Sequence, residues 1–291
     1  MQLVFFVLIY PVLWLVSILP FRLLYLFSDF LYIMIYRIIG YRKKTVRANL
    51  SLAFPNMTAS ERLNIEKKSY HHLCDMFLEM IKTMSLSEVE MNKRFKFTNL
   101  DVYRELEKKN KSIALMCAHY ASYEWVISMN KHINYQGYAI YKKIANTYFD
   151  KLVRDIRSKF KAQLITTKET IPIIQSNQAK GFLGVYGFAS DQSPKAAKTF
   201  HYTNFLGLHS GVSTGAEMLA KRFDMNVIFL KVSKIKRGFY EATFEILSEN
   251  VAEVPDYGIT DAYFAKVEEQ IITAPEFYLW THKRWKNLIK T

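Results

Sequence analysis

The sequence predicts an α/β protein, a mixed sheet flanked by helices, with an N-terminal membrane helix in front of it. Short apolar runs alternate with helical patterns through the middle of the chain, and an uncharged apolar stretch opens it. Half of the 291 residues are hydrophobic, with only 10 Gly and 7 Pro, so disordered and collagen-like classes do not fit.

Residues 3–19 carry no charge. At about 1.5 Å per residue a helix of that length just approaches the thickness of a hydrocarbon core. The first basic residue is Arg22 and no A-x-A cleavage pattern follows, which argues against a removed signal peptide. Residues 23–39, interrupted by Asp29 and Arg37 and rich in Tyr, Phe and Leu, suit an interfacial helix. Arg37, Arg42, Lys43, Lys44 and Arg47 then cluster. Beside an anionic surface each cation contributes about 1 kcal/mol, and the positive-inside rule puts this side in the cytoplasm. Residues 1–39 are therefore expected to form a membrane anchor and residues 40–291 one further domain. A pair of buried core helices is the alternative.

Between Thr58 and Ser85 apolar residues follow helical spacing, and Thr58 with Glu61 forms a capping-box pattern. Strands are expected at 112–118, 137–141, 163–167, 182–189 and 226–232, with helices near 121–133, 146–159, 171–179 and 212–222. Residues 191–210 lack a clear period and read as a candidate active-site loop. No Rossmann glycine fingerprint or P-loop is present, so the sequence gives no support for a nucleotide cofactor. Two cysteines, Cys74 and Cys117, make neither a disulfide framework nor a zinc spacing, and no metal is expected. The net charge of +14 favours anionic partners. No recognisable nucleic-acid-binding motif accompanies it.

The chemistry-bearing stretch is CAHYASYEW, residues 117–125. An apolar strand pattern delivers His119 into a turn, and Glu124 starts the next helical pattern, where a bend can bring the carboxylate against the imidazole. A neutral imidazole within reach of a hydroxyl removes its proton as the oxygen attacks a thioester, and a carboxylate fixes the tautomer. A helix-capping or surface pair is the bland alternative. Cys117, on the same strand face as His119, is a rival thiol nucleophile or a buried strand residue. His71 and His72 are expected at the surface, and Trp280 and Trp285 either anchor at an interface or pack on the domain.

Further stretches resemble the lipid A biosynthesis lauroyl and myristoyl acyltransferases, a branch of the H-x4-D/E lysophospholipid acyltransferases. They are RANLSLAFP at 47–55, the His119 and Glu124 motif, YKKIAN at 141–146, Arg157, the pair Asp191 and Gln192, Phe205 to Gly207, and PEFYLWTHKRWK at 275–286. The resemblance implies a glycerolipid acyltransferase-like fold and transfer of a fatty acyl chain from a thioester of acyl-carrier protein or acyl-CoA to a hydroxyl of a lipid A precursor or related glycolipid. It places the enzyme at a bacterial inner membrane, with the catalytic domain on the cytoplasmic side and no cofactor. His119 and Glu124 would be the catalytic pair, with Lys142, Lys143, Asn146, Arg157, Asp191 and Gln192 binding substrate. Asp191 would pair with one of those cations or anchor its loop. Lys142 and Lys143 stand where the family has Arg and Pro, which replaces a bidentate fork with two point charges. The alternatives are a lysophospholipid or aminolipid acceptor, or a non-catalytic protein that binds anionic membrane.

Overall fold

The computed structural model describes residues 2–288. The expected domain bounds also include Met1 and residues 289–291, which lie outside the described residues. The apolar opening folds as α1 (Gln2–Ile18) and α2 (Phe21–Tyr32), the latter running into a π-helical segment, Ile33–Ile39. Gly40, at φ 67°, ends it in the left-handed region that glycine adopts without strain. Next come α3 (Lys43–Ala53) and the long α4 (Ala59–Lys82). The expected capping box is formed: Glu61 N donates to Thr58 Oγ1 at 3.2 Å, and Thr58 N to Glu61 Oε2 at 2.7 Å.

The exposed side of α1 and α2 is apolar, including Val4, Leu8, Trp14, Leu15, Leu26 and Phe30. Their inner side closes a small core of Val16 and Leu24 against Leu78 and Ile81 of α4. Among the described residues no single helix is long and apolar enough to cross a membrane. One pair does pass that test together, Phe21–Ile39 with Lys43–Ala53, bent by 92°.

After α5 (Glu88–Arg94) the chain enters a seven-stranded sheet: β1 (Phe95–Phe97), β2 (Ile113–Cys117), β3 (Gln136–Tyr141), β4 (Gln163–Thr166), β5 (Gly184–Ala189), β8 (Asn226–Lys236) and β9 (Phe239–Ser248). Their order is β1-β9-β8-β2-β5-β3-β4. Only β8 and β9 pair antiparallel; every other neighbouring pair is parallel. The sheet is thus mixed and flanked by helices, as the alternating pattern predicts. All five residues of β2 are buried, as befits a central parallel strand covered on both faces. Helices α6 (Leu100–Glu107), α7 (Thr147–Ser158), α8 (Thr170–Ala179) and α9 (Gly215–Arg222) lie between strands, and the C-terminal α10 (Gly258–Thr273) follows the last one.

Several expectations change. The segment after β2 is a 3₁₀ helix, Tyr123–Lys131, and residues 191–210 are not one loop, because β6 (His201–Phe205) and β7 (Leu208–Val212) form a separate hairpin. His72 is buried at 5% exposure, since α4 turns that side into the core. Trp280 and Trp285 are buried, stacked on each other with centroids 6.3 Å apart, so packing and not interfacial anchoring is their role.

Candidate active site

The site forms where β2 and β5 end side by side. Cys117 pairs with Ala189 at the last rung of their parallel ladder. Two more residues on each strand bring His119 level with Asp191, at the carboxyl edge where open α/β sheets place their ligand sites. Asp191 Oδ1 accepts two hydrogen bonds from one residue: the His119 backbone N–H at 3.0 Å and the ring Nδ1 at 2.7 Å. A carboxylate only accepts, so Nδ1 carries the hydrogen and Nε2 presents its lone pair. Asp191 is 1% exposed.

Burial opposes an imidazolium at His119, but the charge and hydrogen bond of Asp191, helped by the more distant Glu124, outweigh it and raise the pKa above the ordinary histidine value. Burial likewise opposes charge on Asp191, yet His119 holds its carboxyl below the usual aspartate range. Both shifts describe one coupled pair.

Glu124 is not the carboxylate against the ring. It sits at the start of the 3₁₀ helix, 8% exposed, and Arg157 of α7 grips it with two bonds, Nε to Oε2 at 2.8 Å and Nη2 to Oε1 at 2.6 Å. A fork matched to a carboxylate is a stronger partner than a single ring nitrogen. The expected partnerships therefore change: Asp191 takes the histidine, and Arg157, one of the three cations considered for Asp191, takes Glu124. Tyr123 packs edge-on against His119 with centroids 4.9 Å apart.

Lys142 and Lys143 follow β3 at the same sheet edge and are exposed, with no side-chain hydrogen bond or ion pair among the described residues. Asn146 is a helix cap, its Oδ1 accepting from Tyr148 N at 3.0 Å and Phe149 N at 3.3 Å, so its amide is engaged in shaping the turn. Gln192 is half-buried beside Asp191. Cys117 is buried, and burial pushes its thiol up to about 12, so little thiolate exists near neutral pH.

Residues beyond the expected set hold together the turns that carry His119 and Asp191. The stretch 275–288 crosses both. Leu279 N donates to His119 O at 3.1 Å, Ala121 N to Phe277 O at 2.9 Å, and Ser193 N to His282 Nε2 at 3.2 Å. Burial lowers the His282 pKa to about 4, which keeps its ring a neutral acceptor. Asn49 of α3 donates to Trp280 O at 2.8 Å and His282 O at 2.6 Å. The stretches RANLSLAFP and PEFYLWTHKRWK, more than two hundred residues apart, thus meet through one amide.

A family profile described as bacterial lipid A biosynthesis acyltransferase matches residues 2–287. The chain belongs to this acyltransferase family. Among its relatives, the lipid A biosynthesis lauroyltransferase of Escherichia coli K12 is 23% identical over 276 residues, covering 94% of this chain and 89% of the relative. The E. coli lipid A biosynthesis palmitoleoyltransferase is 22% identical, covering 84% of this chain and 79% of its own. A lipid A biosynthesis acyltransferase of Haemophilus influenzae is 24% identical, covering 83% and 76%. The family profile runs across both the apolar helices and the sheet, and the similarity to the lauroyltransferase covers nearly the whole chain.

Proposed function

We propose that this acyltransferase moves a fatty acyl chain from a thioester, carried on acyl-carrier protein, to a hydroxyl of a lipid A precursor or related glycolipid. The observation that carries the reading is the His119–Asp191 pair, at the edge shared by β2 and β5, in a member of this family. His119 Nε2 takes the acceptor's hydroxyl proton as the oxygen attacks the thioester carbonyl. The tetrahedral intermediate collapses, the C–S bond breaks, and the imidazolium returns the proton to the departing thiolate. Asp191 fixes the tautomer and stabilises the transient positive ring. Glu124, held by Arg157, adds its charge on the side of the ring and reinforces Asp191.

Lys142 and Lys143 are two exposed point charges at the same sheet edge, suited to a phosphate of the acceptor or of the donor's phosphopantetheine arm. Residues 1–39 act as the membrane element, their outward apolar side chains lying in the cytoplasmic leaflet of a bacterial inner membrane with the sheet on the cytoplasmic side. Lipid mass spectrometry of a deletion strain tests substrate and reaction together. A lipid A species lacking one acyl chain, restored by the wild-type chain and not by His119→Ala, is the expected result. Loss of acylation on a phospholipid or aminolipid instead would reassign the acceptor.

A further inference from the structure

His72, on α4, has no part in the mechanism above, yet both of its ring nitrogens are engaged in the core. Lys234 of β8 lies 3.3 Å from Nδ1, and the Ala121 carbonyl lies 3.3 Å from Nε2. An ammonium can only donate and a carbonyl only accept, so Nδ1 accepts and Nε2–H donates. Burial, reinforced by the Lys234 charge, pushes the ring's pKa well below the histidine value, so the imidazole is neutral.

Ala121 is two residues beyond His119, fully buried, and held at φ 48°. For a residue with a side chain this left-handed conformation costs about 1 to 2 kcal/mol, and it persists only where the surroundings over-determine it. Its N–H donates to Phe277 O on one side, and its carbonyl accepts from His72 on the other. Behind His72 the contacts continue outward. Lys234 Nζ is 3.6 Å from Asp75 Oδ2, and Asp75 accepts from Arg237 Nε at 3.0 Å and Nη2 at 2.7 Å. Arg237, in the β8–β9 turn, reaches Asp29 of α2 at 2.6 Å. The adjacent Gly238, at φ 76°, permits that turn's close approach to Tyr25 of α2, whose hydroxyl a Cβ would strike.

We propose that His72 is a positioning residue for the catalytic turn: its neutral ring, with Lys234 setting the tautomer, fixes the Ala121 peptide and thereby the backbone that aims His119 at Asp191. The chain of Asp75, Arg237 and Asp29 holds Lys234 in place from α2. The inference rests on His119 being the base, and its test separates the two.

Full-length His72→Gln and His72→Phe are compared with the wild type. Glutamine can accept from Lys234 and donate to Ala121, whereas phenylalanine fills the space and does neither. One readout is kcat and KM for acyl transfer from acyl-carrier protein to a lipid A precursor. The other, independent of activity, is the NMR resonance of the His119 Nδ1 proton shared with Asp191.

One hydrogen bond between neutral groups sets the scale, so His72→Phe should lower kcat about tenfold with KM little changed. It should also displace or broaden the His119 proton resonance, while His72→Gln preserves both. A His72→Phe chain that matches wild type in rate and resonance overturns the proposal. So does a His72→Gln chain as damaged as His72→Phe. If the phenylalanine variant does not fold, the ¹⁵N shifts of His72 in the wild type decide. A ring locked as neutral Nε2–H supports the proposal, and one that protonates or exchanges tautomers overturns it. A resonance displaced in His72→Phe, in an enzyme whose wild type itself transfers no acyl group to the lipid, would leave the positioning intact and reject the acyltransfer reading.

Discussion

Replacing Asp191 with asparagine keeps the side chain's shape and removes the charge that orients His119. Two N–H groups of His119 converge on Asp191 Oδ1, at 3.0 Å and 2.7 Å. A hydrogen bond to a charged group contributes about 1.5 to 3 kcal/mol, or about 10- to 150-fold in rate if it is fully expressed in the transition state. An amide can also turn its NH₂ to Nδ1 and leave the hydrogen on Nε2, the wrong tautomer for a base. Together these put the loss in kcat at about 10² to 10⁴-fold. The pH profile carries a second signature. The base works only when deprotonated, so activity falls as pH drops through the His119 pKa, which Asp191 raises. Asp191→Asn should therefore move the acid limb of kcat/KM to lower pH while depressing the plateau. The assay is steady-state acyl transfer from pH 5 upward, with folding checked by thermal unfolding. A variant within threefold of wild type with an unmoved limb would refute the reasoning, as would a larger limb shift in Glu124→Gln.

Glu124→Gln leaves the Arg157 fork without its carboxylate, in a site where Glu124 is 8% and Arg157 23% exposed at the side chain. Discounted for that partial exposure, unfolding free energy should fall by about 2 kcal/mol, measured by urea denaturation; the pair contributes nothing if Glu124→Gln and Arg157→Met are simply additive. Lys142→Ala with Lys143→Ala should raise KM without lowering kcat, compared with Lys180→Ala at the opposite sheet edge; equal KM values in the two would remove the phosphate role. Leu8→Glu with Leu15→Glu, both on the exposed side of α1 at 68% and 56% exposure, should weaken liposome binding by about tenfold or more per site at unchanged thermal stability. Unaltered flotation with liposomes would remove α1 from the membrane-binding surface.

The sheet was legible because its central strands are continuous apolar runs and its crossover helices have their own period. The strands at 113–117, 136–141 and 184–189 fall where the pattern puts them. The hairpin at 201–212 was not, because the burial along His201–Phe205 gives only one fully buried residue, Phe205. At the site, the residue types were readable and the partnerships were not. Five positions separate His119 from Glu124, and the strand-to-helix bend between them suggests contact. The decisive fact is instead that β2 and β5 are neighbours, so residues 72 apart end at the same height. No local period encodes strand order. The same holds for His72, whose histidine neighbour His71 is half-exposed; only the packing of α4 against β8 and the His119 turn tells them apart. Asn49, His282 and Phe277 lie within the motif stretches, but their shared task of tying 275–288 to the turns of His119 and Asp191 depends on contacts between segments far apart in sequence.

The most direct test of His119 as the base in a direct transfer is a single-turnover experiment with labelled acyl-carrier thioester and lipid acceptor, following label on lipid and on protein together. The account predicts that His119→Ala slows product formation by at least about 10²-fold with folding and lipid binding intact, that Cys117→Ser keeps the wild-type rate, and that no label stays on the protein. His119→Ala retaining more than a tenth of the rate, or stoichiometric labelled protein that chases to product and disappears in Cys117→Ser, would contradict it.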